Sequence, residues 1–150
     1  MSTPKPAKKP AFSAAERDAM KARAAELRAD AKEQKAAAKR ADALQGVLDA
    51  IAAMEDGDRA LAEHFHAVVT EVAPQLEPKT WYGMPAYGRD GKAVCFFKPA
   101  AKFGARYATF GFNDGARLDD GALWPTEYAI LEFTDEVDAA VRGIIARAAG

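Results

Sequence analysis

Ala86-Tyr87-Gly88-Arg89-Asp90-Gly91-Lys92-Ala93-Val94-Cys95-Phe96-Phe97 is the stretch on which the fold turns. A type I′ hairpin turn needs positive φ at both central residues, and Asp-Gly supplies them at little steric cost. The sequence therefore predicts two antiparallel strands joined at Asp90-Gly91. Twelve of the fourteen aromatic residues fall between 81 and 133, mixed with β-branched residues and glycines, so the sheet belongs there. A further strand is expected over 106–112, a turn or short helix over 113–120, and a last strand over 128–133. Thr134 can cap a closing helix whose first turn carries Asp135 and Glu136 and whose buried face is Val137, Val141, Ile144 and Ile145. Before the sheet, Val47, Leu48, Ile51 and Met54 share one helix face. Asp58 can cap a second helix buried through Leu61, Phe65, Val68, Val69 and Val72, which Pro74 stops. Helices, an antiparallel meander and a helix make an α+β domain, with helices packed on one side of the sheet.

Outside this domain the chain changes character. Residues 1–12 are rich in Pro and Lys and read as a disordered basic tail, residues 13–45 as a charged helix, and residues 46–150 as the domain. Ser13-Ala14-Ala15-Glu16 spells a capping box, and 15 of the first 45 residues are Ala, so local propensity favours a long helix that Gly46 is expected to break or bend. At 100° per residue, Arg17, Lys21, Arg28, Lys32, Lys35 and Lys39 fall within about 60° of one another, a basic stripe beside a thin apolar strip of Met20, Ala24, Leu27, Ala31 and Ala38. The formal net charge of −1 hides this: residues 1–45 carry 11 Lys/Arg against 6 Asp/Glu, and residues 46–150 carry 10 against 16. Such asymmetry suits a docking segment for nucleic acid or an acidic partner.

Several function classes are thinly supplied. One cysteine, Cys95, forms no internal disulfide or CxxC pair and reads as a small buried strand residue. His64 and His66 are the only histidines, and two residues apart on a helix they diverge by about 200° and cannot chelate one ion together. No catalytic residue stands out, and no phosphate-cradling glycine loop occurs. Without an apolar leader or a membrane-length run, the expected location is cytoplasmic, with no membrane partner.

Thr80-Trp81-Tyr82-Gly83-Met84-Pro85-Ala86-Tyr87, followed by Cys95-Phe96-Phe97-Lys98, Tyr107-Ala108-Thr109-Phe110-Gly111 and Gly121-Ala122-Leu123-Trp124-Pro125-Thr126, resembles the YdhG-like domain-of-unknown-function family over about residues 46–148. The resemblance implies a frataxin-like α+β fold. It also implies a non-enzymatic accessory role in which iron is bound weakly and delivered to a protein partner for Fe–S cluster assembly; no other cofactor is implied. Iron held for transfer suits exposed carboxylates, so Asp49, Glu55, Asp56, Asp58 and Glu63, with His66 in a Glu-x-x-His spacing, are its candidate ligands. Asp56 and Asp58 flank Gly57 in a helix-helix turn, where caps and turns favour Asp regardless of any metal.

Two other readings come from the residues themselves. Trp81, Tyr82, Met84, Tyr87, Phe97 and Trp124 are candidates to line a groove for a small apolar ligand or peptide, although the same run suits a bent edge strand with core packing. The basic helix is the third candidate site, as a docking arm.

Overall fold

The computed structural model describes residues 2–3 and 11–150, so most of the tail expected over 1–12 lies outside the described residues. The chain divides into two units, Met1–Ala38 and Lys39–Gly150. The elements run α1 (Ala14–Ala52), α2 (Asp56–Val72), β1 (Glu77–Trp81), β2 (Met84–Arg89), β3 (Lys92–Lys98), a short 3-10 turn (Ala101–Phe103), β4 (Ala108–Phe112), β5 (Glu127–Ile130) and α3 (Asp135–Ala149). This is an α+β architecture with one antiparallel five-stranded meander in the order β1-β2-β3-β4-β5.

Gly46 does not break the first helix, which runs through it from Ala14 to Ala52. What reads as a separate helix over 47–54 is the end of α1, and its buried residues are Val47 and Ile51. Ser13 caps α1 as expected, its Oγ accepting from the Glu16 amide at 3.1 Å. Thr134 does the same for α3, accepting from the Val137 amide at 3.1 Å.

Asp90 and Gly91 both have positive φ, 54° and 77°, and form the anticipated hairpin. A second hairpin was not anticipated. Tyr82 and Gly83, at φ 51° and 74°, join β1 to β2, so the run from Trp81 to Tyr87 is a strand end, a turn and a new strand rather than one bent edge strand. Pro85 is accommodated because the β2/β3 ladder begins one residue later, at Ala86 paired with Phe96. The remaining boundaries are shorter than expected, β4 starting at Ala108 and β5 ending at Ile130.

Strand periodicity divides the sheet's residues between its faces. Tyr87, Cys95, Phe97, Phe110, Phe112 and Ile130 pack in one cluster with Val47, Ile51, Phe65, Val68, Val141 and Ile145, which places all the helical cover on one side. Met84, Ala86, Ala93 and Phe96 form a smaller cluster with Trp81 on the other. Phe96 closes over Gly111, where a Cβ would lie 2.5 Å from its ring.

Gly88 sits where the β2/β3 register shifts, and a Cβ there would lie 2.1 Å from the Lys92 carbonyl oxygen. Backbone cannot yield as a flexible side chain can. Gly88→Ala is expected to destabilise the domain by about 2 kcal/mol or more, read as a lowered urea midpoint, whereas the same change at Gly57, with no neighbour within 4 Å, is expected to be mild.

Candidate functional site

The carboxylates expected to hold metal are largely occupied by the fold. Asp58 is buried, and its two oxygens accept from the Ala100 and Ala101 amides at 3.1 and 3.0 Å. It therefore does not cap α2, whose N-cap is Glu55; it caps the 3-10 turn instead and ties α2 to the β3–β4 connection. Asp56 pairs with Arg59 at 2.7 Å and Glu63 lies 4.0 Å from the same guanidinium. Asp49 accepts from Gln45 at 2.8 Å. Among the described residues, no three His, Cys, Asp or Glu side chains come together in a geometry that could hold a metal ion.

His66 points to the core side, its Nδ1 lying 2.7 Å from the Tyr87 hydroxyl. Burial pushes the imidazole below its ordinary value of 6.5 and raises the Tyr87 phenol. The phenol thus stays protonated and can donate to a neutral ring nitrogen. Cys95, 1% exposed, has its thiol pushed up to about 12 by burial, so it is a packed core residue rather than a nucleophile.

The proposed aromatic groove is not assembled. Tyr87 and Phe97 lie in the helix-covered cluster, Trp81 and Met84 lie on the opposite face, and Tyr82 stands exposed in the β1–β2 turn. Trp124 packs at the margin of the main core, beside a cleft of about 350 Å³ lined by Phe112, Asn113, Leu118 and Asp119. Register and alternation explain the separation: Trp81 pairs with Met84 across β1 and β2, and Tyr87, three residues beyond Met84 on the same strand, falls on the opposite face.

Two features lie outside the sequence reading. One is a chain of polar contacts between α2 and α3: His64 Nε2 meets Asp138 Oδ1 at 2.6 Å, Arg142 donates to Asp138 at 2.8 Å and to Glu71 at 2.7 Å, and the His64 ring stacks on Phe133 at 3.9 Å. The hydrogen bond from His64, then that from Arg142, holds the Asp138 carboxyl below its usual range. Only the Asp138/Arg142 spacing of four was visible in sequence; the partners across helices were not. The other is the β3–β4 connection, where the ammonium groups of Lys98 and Lys102 lie 5.2 and 5.7 Å from the Phe103 ring centre and Arg106 lies 5.3 Å from that of Tyr107.

The six residues of the basic stripe, Arg17, Lys21, Arg28, Lys32, Lys35 and Lys39, are all exposed on α1. Among the described residues none of them has an ion-pair partner, whereas Arg23 off the stripe pairs with Glu26 at 3.2 Å. Compared with protein-family models, curated proteins and solved structures, the chain matches none. No described helix is long and apolar enough to cross a membrane.

Asp58→Ala removes two charge-assisted bonds and is expected to cost about 2–4 kcal/mol, while Asp56→Ala, whose carboxylate is 94% exposed, changes stability by less than about 0.5 kcal/mol. Chemical denaturation distinguishes them. Because His66 has a folded value below 6.5, the unfolded chain takes up its proton first and stability falls as pH drops from 6.5. The Asp138 contribution, likewise from a lowered value, is present above 3.8 and lost only in stronger acid. Thermal melts from pH 7.5 to 5 are expected to show the first decline, and His66→Gln to flatten it.

Proposed function

We propose that this protein is a non-enzymatic binding protein that docks on the phosphate backbone of nucleic acid through α1. The observation that carries this reading is the cationic face of Arg17, Lys21, Arg28, Lys32 and Lys35 in the first unit, exposed and without ion-pair partners among the described residues. Arg28 and Lys32, four apart, repel each other mildly, so helix stability gives no reason for the stripe. A surface helix selected for solubility alone would intersperse its charges. From Arg17 to Lys35 the stripe runs about 27 Å at 1.5 Å per residue, over which one strand of a duplex carries about eight phosphates.

The iron and aromatic-groove readings draw less support, because Asp58, Asp56, Asp49 and His66 have other partners and the six aromatic-run residues are divided between faces. The His64–Asp138 pair serves as a tie between α2 and α3, with Arg142 completing it.

Anisotropy of a labelled 20-base-pair duplex, titrated at several salt concentrations, tests the proposal. Five phosphate contacts give a slope of log K against log salt of about −4.5. The triple reversal Arg28→Glu, Lys32→Glu, Lys35→Glu is expected to bring the slope toward about −2 with α1 still helical by circular dichroism. Wild-type binding that ignores salt, or no binding at 50 mM salt, overturns it.

A further inference from the structure

The second unit is acidic as a whole, yet its charge is sharply divided. Between residues 78 and 109 there are six cations and one carboxylate, Asp90; the rest of residues 46–150 holds four cations and fifteen carboxylates. That stretch runs from the second residue of β1, just after Glu77, through β2 and β3 to the connection and the start of β4. None of Lys98, Lys102 and Arg106 has an ion-pair partner among the described residues.

In an antiparallel meander, the β1–β2 turn and the β3–β4 connection lie at the same end of the sheet, and here they touch. Lys102 Nζ donates to the Gly83 carbonyl at 3.3 Å, bringing the connection against the turn that carries Tyr82. Tyr82 is 79% exposed and meets Trp81 edge to face, ring centres 4.9 Å apart, while Trp81 in turn leans on Phe96 at 5.0 Å. Phe103 and Tyr107 are 42% and 38% exposed, each with a cation over or beside the ring. Tyr82 also occupies a turn position with φ of 51°, where Asn or Gly is favoured and a bulky residue is an outlier. Turn formation does not call for a tyrosine there, and core packing does not use one that is largely in solvent.

We infer that Tyr82, Lys98, Lys102, Phe103, Arg106 and Tyr107 form a binding surface for single-stranded nucleic acid. Bases stack on the exposed aromatic faces, and the backbone phosphates meet the three cations. Interleaved cations and aromatics are what a single strand requires, since its bases present free faces and its phosphates run alongside. Duplex offers phosphates but keeps its bases paired, and an acidic peptide offers carboxylates but no planar rings in series. The inference goes beyond the nucleic-acid reading of α1, which concerns duplex phosphates, and it rests only on side chains of the second unit.

The test uses the full chain in a Trp124→Phe background, so that Trp81, in contact with Tyr82, is the sole indole. A fifteen-residue oligo(dT) is expected to quench Trp81. Tyr82→Gly relieves the positive φ, so it is expected to leave the urea midpoint equal or higher while weakening binding about tenfold, the scale of one lost base stack. Lys102→Glu is expected to weaken binding and flatten the salt slope by about 0.7. Oligo(dT) binding unchanged by Tyr82→Gly overturns the inference, as does a polyglutamate peptide that quenches Trp81 equally well, or a fifteen-base-pair duplex that does so at lower concentration. The α1 triple reversal is expected to retain the quenching. If quenching is lost there and untouched by Tyr82→Gly, binding belongs to α1 alone and only this second surface falls.

Discussion

Phe65 is the side chain around which the second unit is organised. It is fully buried on α2, and its ring lies 6.0, 5.9 and 5.5 Å from those of Tyr87, Phe97 and Phe110, one each from β2, β3 and β4. A single helix residue thus fixes which face of three consecutive strands points inward. Truncating a buried aromatic of this kind costs about 3–5 kcal/mol, and each ring pair adds about 0.5–1.5 kcal/mol beyond area burial. Strand side chains alternate, so setting the inward face also sets the outward one, except beside the β2/β3 irregularity, where the adjacent Val94 and Cys95 both join the helix-covered cluster. Tyr87 and Phe97 go to the helices, and Met84, Ala86 and Phe96 go to the far side. The aromatic run cannot form one groove for the same reason that it forms a good core.

The parts of the fold legible in the sequence were those encoded locally. Asp90-Gly91 names its own turn, Ser13 and Thr134 name their caps, and the apolar spacings of α2 and α3 match their buried faces. The errors occurred where a neighbour overrode local chemistry. Gly46 is a helix breaker by propensity, but one glycine in a run of helix formers costs only about 1 kcal/mol, and Val47 and Ile51 recover more by packing in the core. Tyr82-Gly83 does not spell a turn, because its first residue lacks turn chemistry. Asp58 reads locally as a cap or a metal ligand, whereas its partners, the amides of Ala100 and Ala101, are more than forty residues away and carry no side-chain signature at all.

Acidic residues here do two kinds of work, and burial separates them. Asp58 and Asp138 are partly or wholly withdrawn from solvent and connect elements distant in sequence: α2 to the β3–β4 connection in one case, α2 to α3 in the other. A withdrawn carboxylate needs several donors to offset its desolvation; Asp58 receives two amides, and Asp138 receives an imidazole and a guanidinium. Exposed carboxylates such as Asp56 make only solvent-screened pairs that contribute little. A list of acidic residues from sequence mixes the two kinds, which is why it resembles a metal cluster that the fold does not assemble among its described residues.

The anchor at Asp58 also connects the core to the basic surface. By holding the amides of Ala100 and Ala101, it starts the 3-10 turn whose next residues are Lys102 and Phe103, and Lys102 then reaches the Gly83 carbonyl beside Tyr82. The connection is therefore pinned from the helix side by a carboxylate and from the sheet side by a turn. Its cations lie over aromatic rings and form no ion pair among the described residues, although Glu55 and Asp58 line the same cavities as Lys102 and Arg106. Folding could have paired these charges at little cost, since exposed ion pairs are weakly favourable. That they stay unpaired leaves Lys98, Lys102 and Arg106 at the end of the sheet opposite the Asp90-Gly91 turn, three cations that the net charge of the domain conceals, as the charge of the whole chain conceals α1.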